Sequence, residues 1–162
     1  MKKIFYLLEF VLIKILFILF KIIGYKTSSN LGFFIGKTFG PIFRSKKLII
    51  KNLKQANIKN HNNHEKIAIN VLGNYGRIFS EYVYLKDFRN NKLKKYISIE
   101  GLEHLENLKK SKKNAVFISG HFNNFELMAM QIEKAGIELA TIYRPLNNIF
   151  LNKTMEQIRK ES

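Results

Sequence analysis

The chain has no cysteine and no tryptophan, and only two prolines, Pro41 and Pro145. Without cysteine there is no disulfide, no thiolate nucleophile and no thiolate metal site, and the redox compartment leaves no trace in the sequence. Acid is scarce as well: 12 Asp and Glu stand against 28 Lys and Arg, a net charge of +16 over 162 residues. The shortage is local. Residues 1–60 hold one acid, Glu9, among twelve bases, whereas residues 61–162 hold eleven acids and sixteen bases. A basic third that is also apolar and aromatic points to an anionic membrane surface more than to nucleic acid, and no nucleic-acid partner is expected. A codon bias toward Lys, Asn and Ile is the competing account of the charge. The length suits one domain with a modest core.

Ile4 to Ile23 is apolar except for Glu9, Lys14 and Lys21. A helix of that length covers a bilayer core of roughly 30 Å at about 1.5 Å per residue. Lys3, Lys14 and Lys21 are eleven and seven residues apart, spacings that return them to one helix face. Residues 1–25 are therefore expected to be a membrane-anchor helix. It either spans with tilt as a transmembrane helix or lies in the interface with its basic stripe outward. A signal peptide fits less well, because Lys14 interrupts the apolar region and no small-x-small cleavage site follows. A buried soluble helix is a third reading.

Residues 26–95 read as a helical, membrane-proximal region. Gly32, Gly36 and Gly40 recur every four residues, which fits a helix face made for close approach and equally a loose loop; Pro41 is expected to end that unit. Residues 45–58 are basic with apolar spacing at Leu48, Ile49 and Leu53, and residues 57–63 read as a loop. Ala68, Val71, Leu72, Tyr75, Ile78, Phe79 and Tyr82 keep helical spacing and predict a helix over 65–85, capped by Asn62 or Asn63. His61 and His64 beside that cap lack a third ligand, so they read as loop and cap, and no metal site is expected. Residues 96–162 alternate strand and helix signals: strands at 96–100, 115–118 and 139–143, helices at 101–108, 123–134 and 148–160. That order predicts an α/β fold with a mostly parallel sheet. Three strands and a terminal helix leave one sheet edge open, so the chain is expected to be truncated relative to a complete domain.

The chemistry concentrates in Ser119-Gly120-His121-Phe122-Asn123-Asn124-Phe125-Glu126. A histidine just past a strand stands at the ligand-facing edge of an open α/β sheet, and Gly120 leaves room for a sharp turn and a substrate. Glu126 falls in the first turns of the next helix. Its carboxylate can hold one imidazole nitrogen and leave the other as a general base. That is the base-and-orienter part of a catalytic triad, with the attacking hydroxyl supplied by the substrate. Asn123 and the helix amides suit an oxyanion or phosphate. A structural His–Glu hydrogen bond is the alternative that spacing alone leaves open.

The stretch from Gly120 to Glu126 resembles the H-x-x-x-x-[D/E] block of glycerolipid-type acyltransferases. Its closest form is the G-H-[FLY]-[GS]-N-[WF]-E block of the bacterial lipid A biosynthesis lauroyl/myristoyl acyltransferases. Tyr143-Arg144-Pro145 with Asn147-Asn148, followed by Arg159, looks like that family's second block. Gly32, Gly36, Asn52-Leu53 and Glu81 also match positions of its N-terminal region. Asn123 stands where the family usually has Gly or Ser, and Phe125 where it usually has Trp.

The resemblance covers the whole chain and implies an acyltransferase with part of a glycerolipid-acyltransferase-type sheet, residues 96–162 being the N-terminal part of the catalytic domain. It implies acyl carrier protein as donor, a lipid A precursor as acceptor, membrane lipids as surroundings, and no cofactor. It places the catalytic part on the cytoplasmic face of the bacterial inner membrane. It implies His121 as base and Glu126 as its partner. Gly120, Asn123, Asn124, Arg144 and Arg159 become substrate-binding candidates, the arginines toward phosphate. Glycerolipid acylation by the same superfamily, or a membrane-binding fragment without activity, are the rival expectations.

Overall fold

Gly24, at φ 82°, turns the chain sharply between its first two helices. The computed structural model describes residues 2–57, 63–120 and 122–161. In chain order they form α1 (Lys2–Ile23), α2 (Tyr25–Phe43), α3 (Lys46–Gln55), α4 (His64–Glu81), α5 (Leu85–Arg89), α6 (Leu102–Ser111), α7 (Glu126–Lys134) and α8 (Ile149–Glu161). Single turns of 3-10 helix stand at Tyr82–Tyr84 and Lys94–Tyr96. The chain divides into two compact units, Leu16–Val83, and Met1–Ile15 with Tyr84–Ser162.

In the unit of residues 16–83, α2 and α4 bring backbone against backbone at Gly32, Gly36 and Gly76. A Cβ on Gly36 would stand 2.5 Å from the Leu72 carbonyl oxygen, and one on Gly76 would run into the Gly32 carbonyl and the backbone of Gly36. Gly73 faces the Phe33 ring, and Gly40 faces Leu72. The four-residue glycine repeat is thus a helix face, and its partner is a second glycine pair on α4 that sequence reading overlooked. Pro41 does not end α2; it sits in the last turn, and Arg44 N–H closes that turn onto the Gly40 carbonyl at 2.9 Å. Ser45 then caps α3 by accepting from Leu48 N–H. At the other end of the seam Glu81 is buried and accepts from Ser29 Oγ at 2.8 Å and Tyr25 Oη at 3.3 Å. Phe17 and Phe20 of α1 pack on Phe79, at 5.1 and 6.5 Å between ring centroids.

The second unit is built on Leu85, Phe88, Met130, Ile132 and Leu151, all buried. Arg89 of α5 pairs with Glu133 of α7 at 3.0 Å. Glu9, the acid in the apolar run of α1, receives the Asn148 side-chain amide at 2.8 Å, and the same nitrogen donates to the Tyr6 carbonyl. Asn148 Oδ1 accepts from the backbone N–H groups of Phe150 and Leu151, at 3.0 and 3.3 Å, and so caps α8.

Two expectations are corrected. No strand forms among the described residues, so the α/β fold with a mostly parallel sheet gives way to an all-helical one. Residues 97–100, 113–120 and 137–146 run between helices without regular structure. Val116 and Ile118, expected in a buried strand, are 87% and 94% exposed. An apolar run supplies strand tendency, but a strand exists only where a neighbour accepts its ladder hydrogen bonds, and among the described residues no segment does. The second correction concerns α1. It forms one helix as expected, yet no described helix is long and apolar enough to cross a membrane, so the transmembrane reading falls. Glu9, Lys14 and Lys21 break the apolar span at intervals too short for an uninterrupted crossing.

Candidate active site

His121, with His61 and Asn62, lies outside the described residues, and the site is built from what surrounds it in sequence. The Phe122 ring folds back to 2.5 Å from where a Gly120 Cβ would stand, so no larger residue fits at Gly120 without moving the ring. Asn123 adopts φ 50°, the left-handed region, which an asparagine tolerates better than most residues. This kink delivers the chain to α7, with Phe125 N–H on the Asn123 carbonyl and Leu127 N–H on the Asn124 carbonyl. The helix expected over 123–134 begins at Glu126. Asn124 is buried beneath the turn.

Glu126 opens α7, where the unpaired N–H groups and helix dipole favour a carboxylate. Its Oε1 accepts two hydrogen bonds from Arg159 of α8, from Nε at 2.9 Å and Nη2 at 2.6 Å. The two side chains are 15% and 34% exposed. The Arg159 guanidinium also lies 5.4 Å from the centre of the Tyr143 ring. Tyr143 Oη donates to Glu156 Oε1 at 2.6 Å, Asn152 donates to the same oxygen at 2.8 Å, and Asn152 Oδ1 accepts from Leu146 N–H at 2.9 Å. The hydrogen bond to Glu156 is the main cause that pushes the Tyr143 phenol above its usual range. The same bond holds the Glu156 carboxyl below the ordinary glutamate range, helped by Asn152 and by Lys160 and Lys153.

The structure therefore joins Glu126 to Arg159 and joins both to the Tyr-Arg-Pro segment through Tyr143. It leaves Arg144 exposed and without an ion pair among the described residues. Sequence reading missed Tyr143, Asn152 and Glu156 as a supporting network. Glu156 falls three residues before Arg159 on α8, a same-face spacing that was available as a signal. A cavity of about 290 Å³ opens elsewhere in this unit, lined by Phe88, Ile97, Ile99 and Leu102 with Lys94 and Lys134, and Glu126 and Arg159 are not among its lining residues.

The family model of the bacterial lipid A biosynthesis acyltransferases matches residues 1–162. The chain belongs to that family. Membership makes it an acyltransferase-family protein. No curated protein and no solved structure matches it.

Proposed function

We propose that this protein moves a fatty acyl chain from acyl carrier protein to a hydroxyl of a lipid A precursor, at the cytoplasmic face of the bacterial inner membrane. The observation that carries the reading is the Glu126 carboxylate, held at the head of α7 by Arg159 and five residues after His121 in sequence. In this reading His121 takes the proton of the acceptor hydroxyl as its oxygen attacks the thioester carbonyl. It returns that proton to the carrier thiolate when the carbon–sulfur bond breaks. Glu126 orients the imidazole and stabilises its protonated form. The amides at the head of α7 and the Asn123 side chain face charge that develops on the carbonyl oxygen. Arg144, exposed and outside any ion pair among the described residues, supplies the planar fork for the acceptor's phosphate. The apolar residues of α1 that stand exposed, Ile4, Phe5 and Leu8 among them, seat the protein in the interface.

The test is transfer of a radiolabelled acyl group from acyl carrier protein to a tetraacylated lipid A precursor. His121→Ala is expected to lower transfer by about 10²–10⁴-fold or more, the range of general-base catalysis. Glu126→Ala should be comparably severe, and the double substitution scarcely worse than either single one, because the pair acts as a unit. A His121→Ala protein that is folded by circular dichroism and as active as its parent ends the catalytic reading.

A further inference from the structure

The corner between α2 and α3 carries two features that the acyl-transfer site does not use. From Lys37 to Lys54 the chain has six bases and no acid. At the end of α2, Phe39, Ile42 and Phe43 stand at i, i+3 and i+4 and share one face of the helix. Ile42 and Phe43 are 76% and 87% exposed. On α3, Lys47, Lys51 and Lys54 stand at i, i+4 and i+7 and are exposed, while Ile49 and Leu53 on the opposite side are half-buried. The two nearest cations are engaged. Arg44 lies 4.8 Å from the centre of the Tyr75 ring, and Lys46 pairs with Glu65 at 3.2 Å. The three lysines of the α3 stripe make no ion pair among the described residues.

Bare aromatic and aliphatic side chains beside a run of unopposed lysines fit one surface in both respects. A nucleic-acid backbone recruits lysine but gives a face of Phe39, Ile42 and Phe43 nothing to enter. The headgroup region of an anionic bilayer offers phosphate at the depth of the lysines and acyl chain a few ångströms below. We propose that the α2–α3 corner docks the protein on anionic lipid, with Phe39, Ile42 and Phe43 entering the headgroup–acyl boundary and Lys47, Lys51 and Lys54 meeting lipid phosphate. The corner is distinct from α1 and makes a second seat on the membrane. It rests on the membrane setting proposed above and not on the acyl-transfer chemistry.

Because the chain has no cysteine, Phe43→Cys labelled with an environment-sensitive dye reports this corner alone, whatever α1 does. The labelled full chain is mixed with vesicles of phosphatidylcholine, or of phosphatidylcholine with phosphatidylglycerol, and sedimentation of the same samples reads total binding. The expected result is a blue shift on the anionic vesicles and a smaller one on the neutral vesicles. Each lysine near an anionic surface contributes about fivefold in affinity, so Lys47→Gln, Lys51→Gln and Lys54→Gln together should weaken this insertion on the order of a hundredfold. Sedimentation without a blue shift keeps the membrane reading and overturns the docking corner. No sedimentation on either vesicle overturns both. A blue shift that appears without vesicles as protein concentration rises identifies a second copy as the occupant, and one that appears with duplex DNA identifies nucleic acid; either overturns the proposal.

Discussion

Removing the Arg159 guanidinium tests the network at its most informative point. Exposed ion pairs contribute about 0.2–1 kcal/mol, whereas breaking a fully buried pair from one side costs about 3–5 kcal/mol. The Glu126–Arg159 pair lies between these limits. The carboxylate is 15% exposed and the guanidinium 34%, so solvent screens the arginine end more than the glutamate end. Two N–H groups converge on one oxygen at 2.9 and 2.6 Å. Arg159→Gln is therefore expected to cost about 2 kcal/mol of folding stability, the order expected of a partly buried charged hydrogen-bonded pair. Urea unfolding of the parent, Arg159→Gln, Glu126→Gln and the double variant closes a cycle, with a coupling energy of about 1–2 kcal/mol expected for residues in direct contact. Effects that add to within about 0.5 kcal/mol would refute the pairing. Kinetics give a second reading. If Arg159 acts through Glu126, both single variants lower kcat and leave KM for the acceptor unchanged. If Arg159→Gln raises that KM and spares kcat, the arginine grips the headgroup and its bond to Glu126 is incidental.

Three further outcomes are expected. Gly36→Ala places a methyl 2.5 Å from the Leu72 carbonyl oxygen and should destabilise the protein by about 1–3 kcal/mol despite alanine's better helix propensity, which calorimetry or urea unfolding reads directly. Asn148→Ala removes the cap of α8 and leaves Glu9 and the Tyr6 carbonyl without that amide, a loss of about 2 kcal/mol readable in the same unfolding assay. The Glu156 carboxyl is held low mainly by Tyr143, so its contribution is present above the ordinary glutamate value, about 4.3, and fades as pH falls through the depressed value. Tyr143→Phe should flatten the acid limb of a stability–pH curve in that window, and an unchanged limb would show that the bond has no consequence for folding.

How much of this was legible in the sequence depends on whether the deciding partner was near or far along the chain. Periodicity over Ala68–Phe79 gives α4, because it depends on neighbours within a turn. The strands failed for the opposite reason. Ala115–Ile118 has strand composition, but composition does not supply the neighbour that a ladder requires. Glu9 shows the same limit in a helix. Within α1 it is an interruption, and its role depends on Asn148, 139 residues away. In the candidate site, motif resemblance points to Glu126, Arg144 and Arg159 alike, whereas in the fold Arg159 bonds to Glu126 and Arg144 makes no ion pair among the described residues. Tyr143 belongs to the same motif, and its bond to Glu156, 13 residues on, depends on the turn before α8, which the motif does not specify.

The seam between α2 and α4 has a bearing on where such a protein can live. Most helix pairs in water are held because their side chains escape solvent, and that drive disappears when the surroundings are hydrocarbon. Gly32, Gly36 and Gly76 bring backbone against backbone instead, so attraction comes from close contact of main-chain atoms. Contact of that kind is indifferent to whether water or acyl chain lies beyond it. A unit assembled this way can press one flank into a lipid layer and keep the other in water, and its internal fit has no reason to change between them.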